Sequence, residues 1–105
     1  MHFKQAIAAV AIAASAAVCA GAAASEPSNL GERYASTCAS CHGANGVPLG
    51  GAVPGLAGQS SEYIINAMAE FKTGKRQATI MHQIAKGYSD RQIELLAAYF
   101  AAQKQ

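Results

Sequence analysis

Cys38-Ala39-Ser40-Cys41-His42 constrains this chain more than any other stretch. Two cysteines three positions apart, with a histidine directly after the second, read as a c-type haem attachment site. Each residue type is needed where it stands. Two thiols add across two vinyl groups on one edge of a haem, and the short spacer lets them do so from one turn of backbone. The imidazole that follows lies under the ring plane, where it can ligate iron. Two other chemistries use such a pair. A structural zinc site wants a second Cys or His pair at ligand spacing, and beyond this stretch only His82 is available in residues 25–105. A thioredoxin-like redox pair wants a βαβ context, and no strand pattern is present.

The first 24 residues have another character. Lys4 opens a short basic region, and the stretch from Ala6 to Ala24 is almost all Ala, Ile and Val, ending in Ala22-Ala23-Ala24. That is the layout of a cleaved secretory signal peptide over residues 1–24. The apolar run is near the length that spans a bilayer, so an uncleaved anchor is the competing reading. Alanine richness and the small-x-small pattern before Ser25 favour cleavage, after which no membrane span is left. Cys19 follows Ala16-Ala17-Val18, which lacks the leucine of a lipoprotein signal, and reads as a small apolar residue of the removed segment. Export to the periplasm is the expectation, and in bacteria haem is attached outside the cytoplasm.

Residues 25–105 suffice for one small domain. Without Lys4 they hold 7 basic against 6 acidic residues, in no basic run or stripe, which argues against nucleic acid as a partner. A chain this short buries too little surface to be comfortable alone. A covalent haem would supply the missing apolar core, so the apoprotein is expected to be largely unfolded. Cys38 and Cys41 are the only cysteines left, and both are used by haem.

Four helices and no strand are expected. Asn29 is a good N-cap for a helix from Leu30 to about Thr37, and Gly31 within it suggests a close approach by another helix. From Gly43 to Gly58 the chain is glycine-rich, contains Pro48 and Pro54 and has no charge, so it reads as a loop able to wrap around a flat ligand. Within it the Pro54 carbonyl is a candidate to hold the second ring nitrogen of His42, although a plain turn proline fits the spacing equally. Leu56 would pack on the haem face. Ser60 or Ser61 caps a helix running to about Thr73 and closed by Gly74; Ile64, Met68 and Phe71 form its core stripe. Lys72, Lys75 and Arg76 cluster at its end, facing solvent or a partner. Thr79 to Lys86 reads as a short third helix with Gly87 as C-cap. Ser89-Asp90-Arg91-Gln92 reads as a capping box opening a last helix to about Lys104, with Ile93, Leu96, Ala97 and Phe100 on one face.

An iron held by one histidine has a sixth position, and its occupant decides the chemistry. Methionine there suits electron transfer at raised potential, a second histidine lowers the potential, and an open site permits ligand binding. Met81 is the favoured ligand, separated from Cys41 by a loop and a helix that can carry the chain around the ring. His82 is its rival. Met68 lies in a core stripe, where methionine more often fills gaps.

These residues resemble the class I cytochromes c over essentially all of residues 25–105. The resemblance rests on Tyr34 ahead of Cys38-Ala39-Ser40-Cys41-His42-Gly43, on Pro54-x-Leu56, Gly58-Gln59 and Met81, and on Leu96-Ala97-Ala98-Tyr99-Phe100 in the last helix. It implies an all-α fold wrapped around one covalent haem c, His42 and Met81 as axial ligands, and first and last helices crossing at Gly31 and Tyr99 or Phe100. A narrower similarity, through Phe71-Lys72-Thr73-Gly74, Thr79-Ile80-Met81 and Ile84-Ala85-Lys86-Gly87-Tyr88-Ser89, is to the haem domain of the cytochrome subunit of flavocytochrome c sulfide dehydrogenase. It implies electron transfer from an FAD-bearing flavoprotein subunit that oxidises sulfide, with this chain not catalytic alone. The better-known subunit carries two haem domains, and this chain has one CxxCH. Small periplasmic cytochromes of the c4, c5 and c553 kinds share Gly58-Gln59, the helix after it and the last helix. The alternatives are a freely diffusing carrier between respiratory complexes and a terminal oxidase or reductase, and a haem enzyme or gas sensor with an open or displaceable sixth ligand.

Overall fold

A computed structural model of the chain describes residues 29–105 and the isolated Ala13; the expected signal peptide and the lead-in at 25–28 lie outside the described residues. The elements in order are α1 (Leu30–Ala35), a 3-10 turn (Ser36–Cys38), α2 (Ala39–His42), a second 3-10 turn (Ala44–Gly46), α3 (Ser61–Thr73), α4 (Met81–Lys86) and α5 (Asp90–Ala101). Among the described residues there is no strand.

The first helix is shorter than the sequence suggests. Ser36 Oγ donates to the Arg33 carbonyl at 2.7 Å and Thr37 Oγ1 to the Tyr34 carbonyl at 3.2 Å. Hydroxyls that bond back into the preceding turn compete with the helix ladder, and the chain tightens to 3-10 before α2. Asn29 sits at φ −100°, ψ 11° and its side chain makes no cap bond; its carbonyl still accepts from the Arg33 amide at 3.0 Å.

The later helices start where their caps direct. Ser60 accepts the Tyr63 amide at 3.1 Å, and Gly74 closes α3 in the left-handed region at φ 77°. Helix α4 begins at Met81 rather than Thr79, because Ile80 stands at φ −137° outside helical space. Gly87 closes it at φ −77°, so its glycine freedom is not used. Ser89 and Gln92 form the reciprocal capping box of α5. That helix stops at Ala101, short of Lys104. Its carbonyls are taken early: Phe100 O accepts the Gly58 amide at 2.9 Å, and Tyr99 O accepts Gln103 Nε2 at 2.9 Å.

Helix α1 packs on α5, and α3 packs on both α4 and α5. At the α1–α5 crossing a Cβ on Gly31 would stand 2.6 Å from the Leu95 carbonyl oxygen and 3.4 Å from Tyr99 Cβ. Tyr99, not Phe100, is therefore the aromatic at the crossing. Phe100 turns the other way, 2% exposed, against the loop at Gly46. The buried core is small. Its large side chains are Ile64, Met68, Ile93, Leu96 and Phe100; the other five buried apolar residues are alanines.

Candidate haem attachment site

The 3-10 turn and the single-turn helix α2 that follows it carry the two thiols and the imidazole between them. Cys38 ends the 3-10 turn, Cys41 and His42 lie in α2, and Gly43 leaves at φ 86°. A side chain could not replace that hydrogen: a Cβ on Gly43 would meet the Val47 carbonyl oxygen at 1.9 Å. Both cysteines are free, Cys38 half-buried and Cys41 exposed. Burial pushes the Cys38 thiol above its ordinary pKa, the Thr37 hydroxyl partly offsets this, and the nearby Cys41 adds to the rise. At neutral pH Cys38 is a thiol, the form whose S–H adds across a vinyl group.

His42 is 8% exposed, and it is the only buried residue among the described ones that is polar or charged. Its Nδ1 lies 2.7 Å from the Pro54 carbonyl oxygen, and with the proton on Nδ1 that bond fixes the tautomer and leaves Nε2 as the lone-pair nitrogen. Histidine ligands are commonly oriented in this way. The carbonyl is presented by a loop closed on itself: Gly46 O accepts the amides of Leu56 and Ala57 at 2.9 and 3.1 Å. Gly46 is buried beneath Phe100, whose Cδ1 would stand 2.9 Å from a Cβ there. Leu56 is half-buried and packs against the core.

The two candidate methionines have different surroundings. Met68 is 6% exposed inside the core. Met81 opens α4, half-buried and packed against that core from its edge. His82 beside it has a buried Nδ1 with no hydrogen-bond partner. The zinc alternative finds no support: among the described residues no three His, Cys, Asp or Glu gather as a ligand set.

Two tyrosine contacts escape a reading of the sequence. Tyr88, just after α4, hydrogen-bonds the Thr37 hydroxyl, so the segment that follows Met81 is tied to the residue before Cys38. Tyr99 on α5 donates to Asn45 Oδ1 at 2.5 Å. Asn45 holds φ 54°, and the Asn-Gly pair is a turn signal that marks such a residue. No sequence signal pairs Thr37 with Tyr88 across 51 positions.

The donor set fits a covalent haem: two free thiols on one turn, an imidazole anchored by its other nitrogen, and a core with only five large side chains. Comparison with known proteins agrees. The family described as cytochrome c matches residues 29–104. The cytochrome subunit of sulfide dehydrogenase of Chlorobaculum tepidum is 43% identical over 70 residues, covering 67% of this chain and 63% of that protein. Cytochrome c-554(548) of Halomonas halodenitrificans is 36% identical over 77 residues, 70% of this chain and 93% of its own. The solved structure of cytochrome c4 from Acidithiobacillus ferrooxidans superposes with a TM-score of 0.59 at 42% identity, over 62% of this chain and 37% of that one. The chain thus spans less than two thirds of the sulfide dehydrogenase relative and little over a third of the c4 structure. Among the described residues no helix is long and apolar enough to cross a membrane.

Proposed function

The chain belongs to the cytochrome c family, and from that we propose that it is a periplasmic electron acceptor for a sulfide-oxidising flavoprotein subunit, with His42 and Met81 as the axial ligands of its iron. Family membership and the Cys38–Cys41–His42 segment imply one covalently bound haem c, whose iron takes up and gives back single electrons. Cys38 and Cys41 hold it as thioethers. His42 supplies Nε2, kept in orientation by the Pro54 carbonyl, and Leu56 packs beside it. Met81 favours the reduced state and suits transfer rather than ligand capture.

His42 carries the electron-transfer reading. An imidazole buried and pinned at 2.7 Å through Nδ1 has little freedom to swing, which keeps rearrangement small when the iron changes charge. Similarity to the C. tepidum cytochrome subunit supports the choice of partner. A specific observation favours a second reading, a freely diffusing carrier: the match covers 93% of cytochrome c-554(548), so most of that relative is accounted for by this one domain.

Purification of the untagged protein from its native periplasm separates the two. Stable co-elution with a flavin-containing chain, and reduction of the haem by sulfide through that chain, are expected of the first. A lone cytochrome inert to sulfide yet reduced by a respiratory complex would replace it with the second.

A further inference from the structure

Helix α4, which carries Met81, cannot hold its own position. It has six residues, no side-chain cap on its first turn, and Ala85 as its one buried residue. Helices shorter than about a dozen residues are marginal on their own, so α4 stands where its anchors put it, and Met81 with it. Its packing is on α3. On the approach side Arg76 is fastened to the same helix: its Nε lies 2.9 Å from Glu70 Oε2, and its amide donates to the Glu70 carbonyl at 3.2 Å.

On the exit side the chain turns to the attachment segment instead. The amides of Gly87 and Tyr88 bond back to the carbonyls of Ile84 and Ala85 at 3.0 and 3.2 Å, so Tyr88 continues the winding of α4 and moves with it. Its ring is half-buried against the core, and its hydroxyl meets Thr37 Oγ1 across 51 positions of sequence. The direction of that bond follows from the Thr37 proton. A threonine hydroxyl has one hydrogen, and at Thr37 it is donated to the Tyr34 carbonyl 3.2 Å away. The phenol of Tyr88 is therefore the donor to Thr37 Oγ1. Thr37 directly precedes Cys38, whose sulfur is one of the two points of haem attachment.

We propose that Tyr88 is a positioning residue for the sixth ligand: its hydroxyl, clasped by Thr37, ties α4 to the attachment segment and keeps Met81 on the iron. This rests on the ligation by His42 and Met81 given above. With those ligands the attachment segment and α4 grip the haem from opposite sides, and the Tyr88–Thr37 bond joins the two grips directly. Methionine favours the ferrous state, so the ferric protein is where loosening of Met81 shows. The opening is a ligand exchange: the Met81 sulfur leaves, an added imidazole nitrogen takes its place, the iron stays ferric and no electron moves. Loss of the clasp favours the open form by one neutral hydrogen bond.

The test is an imidazole titration of the ferric holoprotein followed by absorption spectra. Imidazole binds only after Met81 leaves, so its apparent affinity reports the open population. Y88F and T37V should each bind imidazole roughly five-fold more tightly than wild type, the size of one hydrogen bond. T37S keeps the hydroxyl and should bind as wild type does. Y88F/T37V should gain nothing over T37V, since both changes remove the same contact. S60A removes the α3 cap and so lowers stability away from the clasp; its imidazole affinity should be unaltered. Wild-type affinity in Y88F would overturn the proposal. An equal gain in S60A would overturn it by reducing the effect to general stability, and additive gains in the double variant by showing that the two hydroxyls act apart. Met81→Ala tells the two failures apart. An unchanged ferric spectrum there would remove Met81 from the iron and the clasp's role with it, whereas a changed spectrum beside a wild-type Y88F would remove the clasp alone.

Discussion

The Tyr99 hydroxyl donates to Asn45 Oδ1 at 2.5 Å, joining the last helix to the loop that leaves His42. Asn45 is also the one non-glycine residue among those described with positive φ, at 54°. The two facts separate under mutation. Asn45→Gly loses the hydrogen bond and keeps the backbone; Asn45→Ala loses the bond and strains the backbone too. The bond lies at the surface, so it is worth about 1 kcal/mol, and left-handed strain adds a further 1–2 kcal/mol or so. Thermal melts of holoprotein should rank wild type above Asn45→Gly and Asn45→Gly above Asn45→Ala, with Tyr99→Phe near Asn45→Gly. Equal melting of the glycine and alanine variants would remove the backbone part of this account.

At the α1–α5 crossing two effects of opposite sign compete. Gly31→Ala raises intrinsic helix propensity by about 1 kcal/mol, but its Cβ would stand 2.6 Å from the Leu95 carbonyl oxygen. Overpacking of backbone on backbone costs about 1–3 kcal/mol, because neither helix has a side chain that can yield. The clash should win, leaving Gly31→Ala less stable than wild type in denaturant titration. A more stable variant would mean that the helices separate without cost.

Much of this was legible in the residues. The spacing of Cys38, Cys41 and His42, the Ser60 and Ser89 caps, the Gly74 stop and the stripe through Ile93, Leu96, Ala97 and Phe100 are local signals, each written within a turn or two of helix. What could not be read depends on contacts between distant segments. Back-bonding by Ser36 and Thr37 shortened α1, and the capture of the Phe100 carbonyl by Gly58 helped end α5 at Ala101. The division of labour between Tyr99, at the crossing, and Phe100, under Gly46, is a matter of which way each side chain turns from α5. Lys72 and Lys86 share one cavity wall only because α4 folds back on α3.

The small core has a consequence for the chain without its prosthetic group. Five large buried side chains and five alanines are few for a domain of this size, which buries proportionally less surface than a larger one. C38A/C41A, made so that haem cannot be attached, should be largely unfolded at 25 °C, with most far-ultraviolet helical signal lost and no cooperative melt. A cooperative transition with near-native helix content would show that the polypeptide core suffices.

Phe100 tests how the loop is held. It is 2% exposed and lies over Gly46, whose carbonyl gathers the amides of Leu56 and Ala57. Phe100→Ala should cost about 3–5 kcal/mol. Because the same loop presents the Pro54 carbonyl to His42, the variant should also shift the haem potential, whereas Leu96→Ala should cost about 2–5 kcal/mol with the potential nearly unmoved. Equal shifts in the two variants would mean that the loop is held independently of Phe100.

Met81 and His82 are adjacent at the start of α4, and only one of them is proposed to reach iron. Met81→Ala should open the sixth position: the reduced protein would then bind carbon monoxide, and its potential would fall because a thioether no longer favours the ferrous state. His82→Ala should leave the iron's spectrum and potential unchanged, since that side chain lines the cavity between the end of α3 and α4. Met68→Leu, inside the core, should alter stability by less than about 1.5 kcal/mol and the spectrum not at all. The pattern is read directly from absorption spectra of the oxidised and reduced proteins with and without carbon monoxide. An unchanged spectrum in Met81→Ala together with a changed one in His82→Ala would exchange the two roles.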